Sequence, residues 1–149
     1  MKKELLNFID KNNCDYTTNL INIETLKQIE KELNIEFGKQ LTNYLLKFGY
    51  LGFEEIELYG INSSQGLDSD MIKQTKYLHQ YFEKTIPFVA IGHFDETHYS
   101  CVDDKDIVYE YNCKTNEMTN LKITLDEYIL TKFKKKSKIT NDKTMEELE

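Results

Sequence analysis

"IPFVAIGHFDETHYSCVDDKDIVYEYNCKTNEMTNLKI", residues 86–123, decides the fold. Its runs "IPFVAIGHF", "THYSCVD", "DIVYEYN" and "MTNLKI" are rich in β-branched and aromatic side chains, the composition of strands. Between them lie three short polar turns: Asp95-Glu96, Asp103-Asp104-Lys105-Asp106 and "CKTNE". Strands joined by turns this tight must run antiparallel, so the stretch predicts a four-strand meander. Pro87, the only proline in the chain, falls at a strand start, where a missing N–H is harmless.

Upstream the pattern is mostly helical. Leu5, Leu6 and Ile9 suit a short amphipathic helix, and Thr17–Asn22 reads as a break. "IETLKQIEKELN" places Ile23, Leu26, Ile29 and Leu33 on one stripe, with Asn34 as the stop. "GKQLTNYLLKFG" carries Leu41, Leu45 and Phe48 on another and is expected to end at Gly49, before a loop Gly49-Tyr50-Leu51-Gly52. "FEEIELYG" then alternates, with Ile56 and Leu58 on one side and Glu55, Glu57 and Tyr59 on the other, which predicts a half-buried strand. A further helix through "SDMIKQTKYLHQYFEK", capped by Asp68 or Ser69, leads into the meander. Thr124 with Glu127 forms a capping-box pattern for a closing helix. The expectation is an α+β domain over residues 1–134, an antiparallel sheet of one strand plus a four-strand meander flanked by helices. Residues 135–149 read as a charged tail, with Lys134, Lys135, Lys136 and Lys138 as cations at a helix C-terminus.

The formal net charge is −7, and it is unevenly placed. Residues 54–112 hold four lysines against twelve acids, a net of −8, while the two flanks are close to balance. Such a field repels nucleic acid and steers cationic partners. The apolar run at the start is too short and broken for a secretory leader, and nothing later approaches a membrane span. Three cysteines, Cys14, Cys101 and Cys113, are an odd number without CxxC spacing, as expected of free thiols in a cytoplasmic chain.

Catalytic signals are sparse. The chain has no GxSxG elbow, no GxxxxGK[ST] loop, no GxGxxG and no HExxH helix. With Asp95-Glu96 as a two-residue turn, His93 would face His98 directly, at a Cβ separation of about 4.5–5.5 Å. His93, Asp95 and His98 are therefore the metal candidates, and a metal-dependent enzyme built on them is one alternative. That set lacks a further strong ligand, so no metal and no cofactor are expected. Cys101, in a strand of mixed character, reads as a small buried hydrophobe. What remains is a composite of carboxylates and tyrosines: Glu54, Glu55, Glu57, Tyr59, Asp68, Asp70, Asp95, Glu96, Asp103, Asp104, Asp106 and Tyr109. Tyrosine supplies contact area and carboxylate supplies steering, a combination suited to a basic protein partner.

The segment "IEKELNIEFGKQLTNYLLKFGYLGFEEIELYGI", residues 29–61, followed by the meander, resembles the SUKH superfamily of fungal cell-wall-synthesis regulators and bacterial immunity proteins. The resemblance covers about residues 24–130 and lies in an ordered pattern: "ELNIEF", a helix closing at glycine, "IELYGI", "FVAIG", "YSCVD", "VYEYN" and "CKTNE". Phe37-Gly38 stands where the family usually has a proline, Gly49-Tyr50-Leu51-Gly52 where it has Asn-Gly, and "HFDETH" at a tip commonly rich in glycine and acids. The resemblance implies a non-catalytic domain that binds and neutralises a cognate toxin, often a nuclease and so cationic. The expected partner is such a toxin, with no nucleic acid and no membrane, and the expected state is a monomer or weak homodimer. A regulatory scaffold of the cell-wall-regulator kind is the alternative the resemblance also implies.

Overall fold

Local sequence explains where the helices begin and end. In the computed structural model, which describes residues 1–18, 21–61 and 70–148 and, over 139–148, the backbone alone, α1 spans Lys3–Lys11 and α2 spans Ile23–Leu33. The Asn22 side chain accepts from Thr25 N at 2.9 Å and caps α2. Asn34 ends that helix in the left-handed region at φ 56°, a conformation asparagine tolerates. Helix α3 spans Lys39–Lys47 and α4 spans Met71–Tyr81. Asp70 caps α4 by accepting from Lys73 N at 3.0 Å; the expected caps Asp68 and Ser69 lie outside the described residues. Helix α5 runs from Leu125 to Leu148 without a break at 134, so Lys134–Lys138 sit mid-helix and not at a C-terminus.

The sheet is larger than expected. Seven antiparallel strands follow each other in sequence order: β1 Asp15–Thr18, β2 Phe48–Phe53, β3 Ile56–Tyr59, β4 Val89–His93, β5 His98–Val102, β6 Ile107–Asn112 and β7 Glu117–Thr124. Two corrections follow. The segment Gly49-Tyr50-Leu51-Gly52, expected as a loop, is the middle of β2 and is buried throughout. Asp15–Thr18, partly read as a break, is an edge strand. The four-strand meander itself is present as β4 to β7.

Register sorts the side chains onto two faces. Phe53 pairs Ile56, Leu58 pairs Gly92 and Gly92 pairs Ser100, so these share one face. Helices α1 and α5 cover it: the Phe8, Phe53 and Phe133 rings meet at 5.4–6.0 Å, and the Tyr128 and Ser100 hydroxyls are hydrogen-bonded at 2.5 Å. The other face carries a row of aromatic rings across the strands. Tyr50 pairs Tyr59, His93 pairs Tyr99 and Tyr99 pairs Tyr111, while the Tyr59 hydroxyl is bonded to His93 Nδ1. Phe82, which follows α4, packs here on Tyr111, at 5.7 Å between centroids. Thr75 Oγ1 of α4 accepts from Ala90 N at 3.0 Å, beside the bulge that shifts register between Ala90 and Gly92.

One end of the sheet is tied by polar contacts between distant elements. The buried Asp106 carboxylate accepts from Gln40 N and Leu41 N, both at 2.9 Å, and so caps α3 from 65 residues away. Its carbonyl accepts from Leu125 N at 2.9 Å, Gln40 Oε1 accepts from Asp126 N at 2.9 Å, and Asp126 Oδ2 accepts from Lys2 N at 2.7 Å. The first turn of α5 is thus satisfied by α3 and the β5–β6 turn. Glu127, expected in a capping box with Thr124, pairs with Lys2 at 2.6 Å. Gly38 makes room for this junction: a Cβ there would lie 2.3 Å from Asp106 Oδ1. That is the physical reason glycine occupies the position before α3.

Candidate functional site

The strand directions divide the predicted site residues between two ends of the sheet. Because β3 and β4 pair at Leu58 and Gly92, the β2–β3 turn and the β4–β5 tip lie at the same end. Glu54, Glu55, Glu57, Asp95 and Glu96 are gathered there, all exposed. The β5–β6 turn lies at the opposite end, with Asp103 half-buried and Asp104 exposed. Asp70 is at that end too, bridged to Gly60 at the close of β3. Asp68 lies outside the described residues.

Several of these residues serve the fold. Asp106 is 7 % exposed and committed to α3, so it is removed from any partner surface. Tyr59 is 1 % exposed, and its carbonyl accepts from Tyr44 Oη at 2.8 Å; it belongs to the core, not to a polar face. Asp103 Oδ1 accepts from Lys105 N and Ile107 N at 2.9 Å and shapes its own turn. Tyr109 is half-buried against Phe88, at 4.7 Å between ring centroids, and burial first, then Asp103, pushes its hydroxyl up.

The β4–β5 tip differs from the expected two-residue turn. Its loop is Phe94-Asp95-Glu96-Thr97, and His93 pairs Tyr99 while Phe94 N donates to His98 O at 3.3 Å. The two histidines are therefore not opposed. His93 turns to Tyr59, and His98 Nδ1 lies 2.8 Å from Asp95 Oδ2. Asp95 Oδ1 also accepts from Thr97 N and His98 N, both at 2.8 Å, and from Thr97 Oγ1 at 3.0 Å. The His98 hydrogen bond, with the Thr97 amide next, holds the Asp95 carboxyl at about 2. Among the described residues no three His, Cys, Asp or Glu side chains are grouped to hold a metal ion. Cys101 lies fully buried, and burial pushes its thiol up to about 12, which leaves it poorly suited to nucleophilic work.

Beside this tip a groove of about 590 Å³ opens between the sheet and residues 128–136 of α5. Ile56, Leu58, Gly92 and Ser100 line its sheet side, and Tyr128 and Ile129 its helix side. Two lysines of α5, one turn apart, reach across it. Lys132 Nζ lies 4.7 Å from the Phe94 ring centroid, and Lys136 is ion-paired with Glu55. Sequence reasoning missed both lysines as site residues. Their spacing of four was visible, but their targets depend on α5 returning along the sheet. Phe94, 46 % exposed at a hairpin tip, was the available signal.

Among the described residues no helix is long and apolar enough to cross a membrane. No curated protein matches the chain. A family model, SUKH_5, described as SMI1-KNR4 cell-wall, matches residues 3–134. That match takes in every strand and all but the distal part of α5 in this α+β fold, and the chain belongs to the SUKH superfamily.

Proposed function

We propose that the protein is a non-catalytic immunity protein that neutralises a cognate toxin by covering it, and that the toxin presents a cationic surface such as a nuclease uses to hold phosphate. The observation that carries this reading is the gathering of Glu54, Glu55, Glu57, Asp95 and Glu96 at one end of the sheet in a SUKH member. Exposed carboxylates in one place steer a basic partner into register and raise the encounter rate, and a covered substrate site needs no further chemistry. The binding surface is drawn from this end and excludes Tyr59 and Asp106, which the core holds. In this reading the protein acts in the cytoplasm, where a nuclease toxin meets its substrate.

The test is capture of the product of a neighbouring toxin gene, with protection of cells that express it and with association rates measured at low and high salt. The expected result is a one-to-one complex, survival, and a rate that falls as salt rises. Failure to bind that product, with no protection, overturns the immunity reading. A rate indifferent to salt overturns the steering mechanism. The family description points to a second reading, a regulatory scaffold, which co-purification with a non-toxin partner and absence of protection would favour.

A further inference from the structure

Helix α4 turns two tyrosines to solvent. It buries Met71, Thr75 and Leu78, and the rest of its surface would ordinarily be polar. Yet Tyr77 is 47 % and Tyr81 61 % exposed, one turn apart, with ring centroids 5.1 Å from each other. Tyr59 and Tyr109, the tyrosines expected at a partner surface, are held by the core and by Phe88; these two are open.

The connection to the acidic tip runs through Tyr99. It pairs His93, the last residue of β4, and burial first, then the neighbouring Tyr77 hydroxyl, pushes its own hydroxyl up. Cys113 lies beside Tyr99 as well; its N donates to Thr97 O at 2.8 Å, and its Sγ is 3.9 Å from Glu96 O. Phe82, next to Tyr81, rests on the buried Tyr111, which pairs Tyr99. Tyr81, Tyr77 and Tyr99 thus form one strip that reaches the loop carrying Glu96.

Charge at this end selects what covers the strip. Among the described residues Glu54, Glu57 and Glu96 have no ion-pair partner. Of the lysines close to the strip in the chain, Lys76 is paired with Glu32, Lys84 Nζ donates to Asn116 O, and Lys73 lies a turn further from the tip. Unpaired carboxylates beside exposed rings suit a cationic surface, whose ammonium or guanidinium groups also pack well on tyrosine faces. A second copy of this chain, itself at −7, is disfavoured by the same charge.

We propose that the partner surface extends from the acidic tip across Tyr99 onto Tyr77 and Tyr81, and that its occupant is the cationic surface of the toxin. This rests on the immunity reading for the identity of the partner. The two parts of the surface act on different rates: the carboxylates steer association, and the tyrosines, as packed contact, slow dissociation.

The test is surface plasmon resonance of the full chain with the product of the neighbouring toxin gene. Tyr77→Ala/Tyr81→Ala is expected to dissociate about tenfold faster, with association changed less than about twofold. Glu57→Gln/Glu96→Gln is expected to associate about threefold more slowly at low salt, with dissociation nearly unchanged. Tyr16→Ala, which removes a 49 % exposed ring from the edge strand β1, is expected to change neither rate. Circular dichroism and the thermal midpoint check folding, and Tyr81→Ala alone serves where the double variant does not fold. If the double tyrosine variant dissociates as wild type does, or Tyr16→Ala has an equal effect, the tyrosine surface falls and the immunity reading stands. A wild-type dimer in sedimentation velocity that Tyr77→Ala/Tyr81→Ala splits assigns the strip to a second copy and also overturns the proposal. No complex with wild type overturns the immunity reading, and this inference with it.

Discussion

Asp106 illustrates how far one side chain's role can depart from its surroundings in sequence. It sits in an acidic turn, "DDKD", where solvated carboxylates are the norm, yet its neighbours Asp103 and Asp104 are half-buried and exposed while it is buried. Its backbone adopts φ 64°, which turns the carboxylate inward onto two amides of α3. Asp106→Asn tests this role, because asparagine keeps the left-handed backbone and one acceptor but sets an N–H donor against a backbone N–H. The substitution is expected to lower stability by about 1–3 kcal/mol in urea denaturation. A variant as stable as wild type would show that the cap contributes nothing. Nothing in a linear reading separates Asp106 from Asp104; only the approach of α3 does.

Whole elements were legible where periodicity was strong and illegible where glycine or register intervened. The α2 stripe through Leu26, Ile29 and Leu33, though not Ile23, and the strand composition and tight turns of the meander were plain in the sequence. "FGYLGF" was not, because two glycines mimic a loop. In the fold the Tyr50 ring lies over Gly52, where a Cβ would come within 2.5 Å of its hydroxyl. A Cβ on Gly60 would lie 2.1 Å from Gly49 O, so the glycines permit close packing of β2 and β3. The β4–β5 tip was misread because the bulge between Ala90 and Gly92 shifts the register by one residue, so that His93 faces Tyr99 and not His98. That tip carries a pH prediction. The Asp95 carboxyl is depressed from 3.8 to about 2 in the fold, so its support for the loop is complete above the ordinary value and is lost as pH falls toward 2. Loss of amide protection at Thr97 and His98, measured against the intrinsic exchange rate at each pH, is the expected signature as pH falls below 3.8, and Asp95→Asn is expected to show no such pH step. An Asp95 carboxyl that titrates at its ordinary value in NMR would contradict the loop geometry.

At the scale of the molecule, the charge excess of residues 54–112 does not form one face. It separates into a turn-rich end with Glu54, Glu55, Glu57, Asp95 and Glu96 and an opposite end with Asp70, Asp103 and Asp104. The separation was hidden in the sequence because it depends on strand direction, and it makes the proposed partner surface testable by geography. Glu54→Gln/Glu57→Gln/Glu96→Gln is expected to slow association with a captured toxin about 5–10-fold at low salt. Asp103→Asn/Asp104→Asn is expected to change it less than twofold, on the scale of steering contributions. Equal effects from both ends would show that total charge, not its placement, governs encounter. The outer strand β7 bears on assembly as well. Lys122 takes φ 59° with its amide bonded to Asn120 Oδ1 at 2.8 Å, an irregular, charged margin that discourages strand-to-strand pairing between copies.

The knot of contacts around Asp106, Gln40, Asp126 and Lys2 lies at one pole, and the tip closed by Asp95 upon its own neighbours lies at the other. A framework anchored at the base leaves the summit loop few structural duties, chiefly the Thr97 carbonyl that accepts from Cys113 N at 2.8 Å and the Phe94 ring under Lys132. Residues 94–97 thus form a cassette that can be exchanged for another of equal length without remaking the scaffold. In the immunity reading proposed above, a change of toxin would call for rewriting only a few positions of this tip.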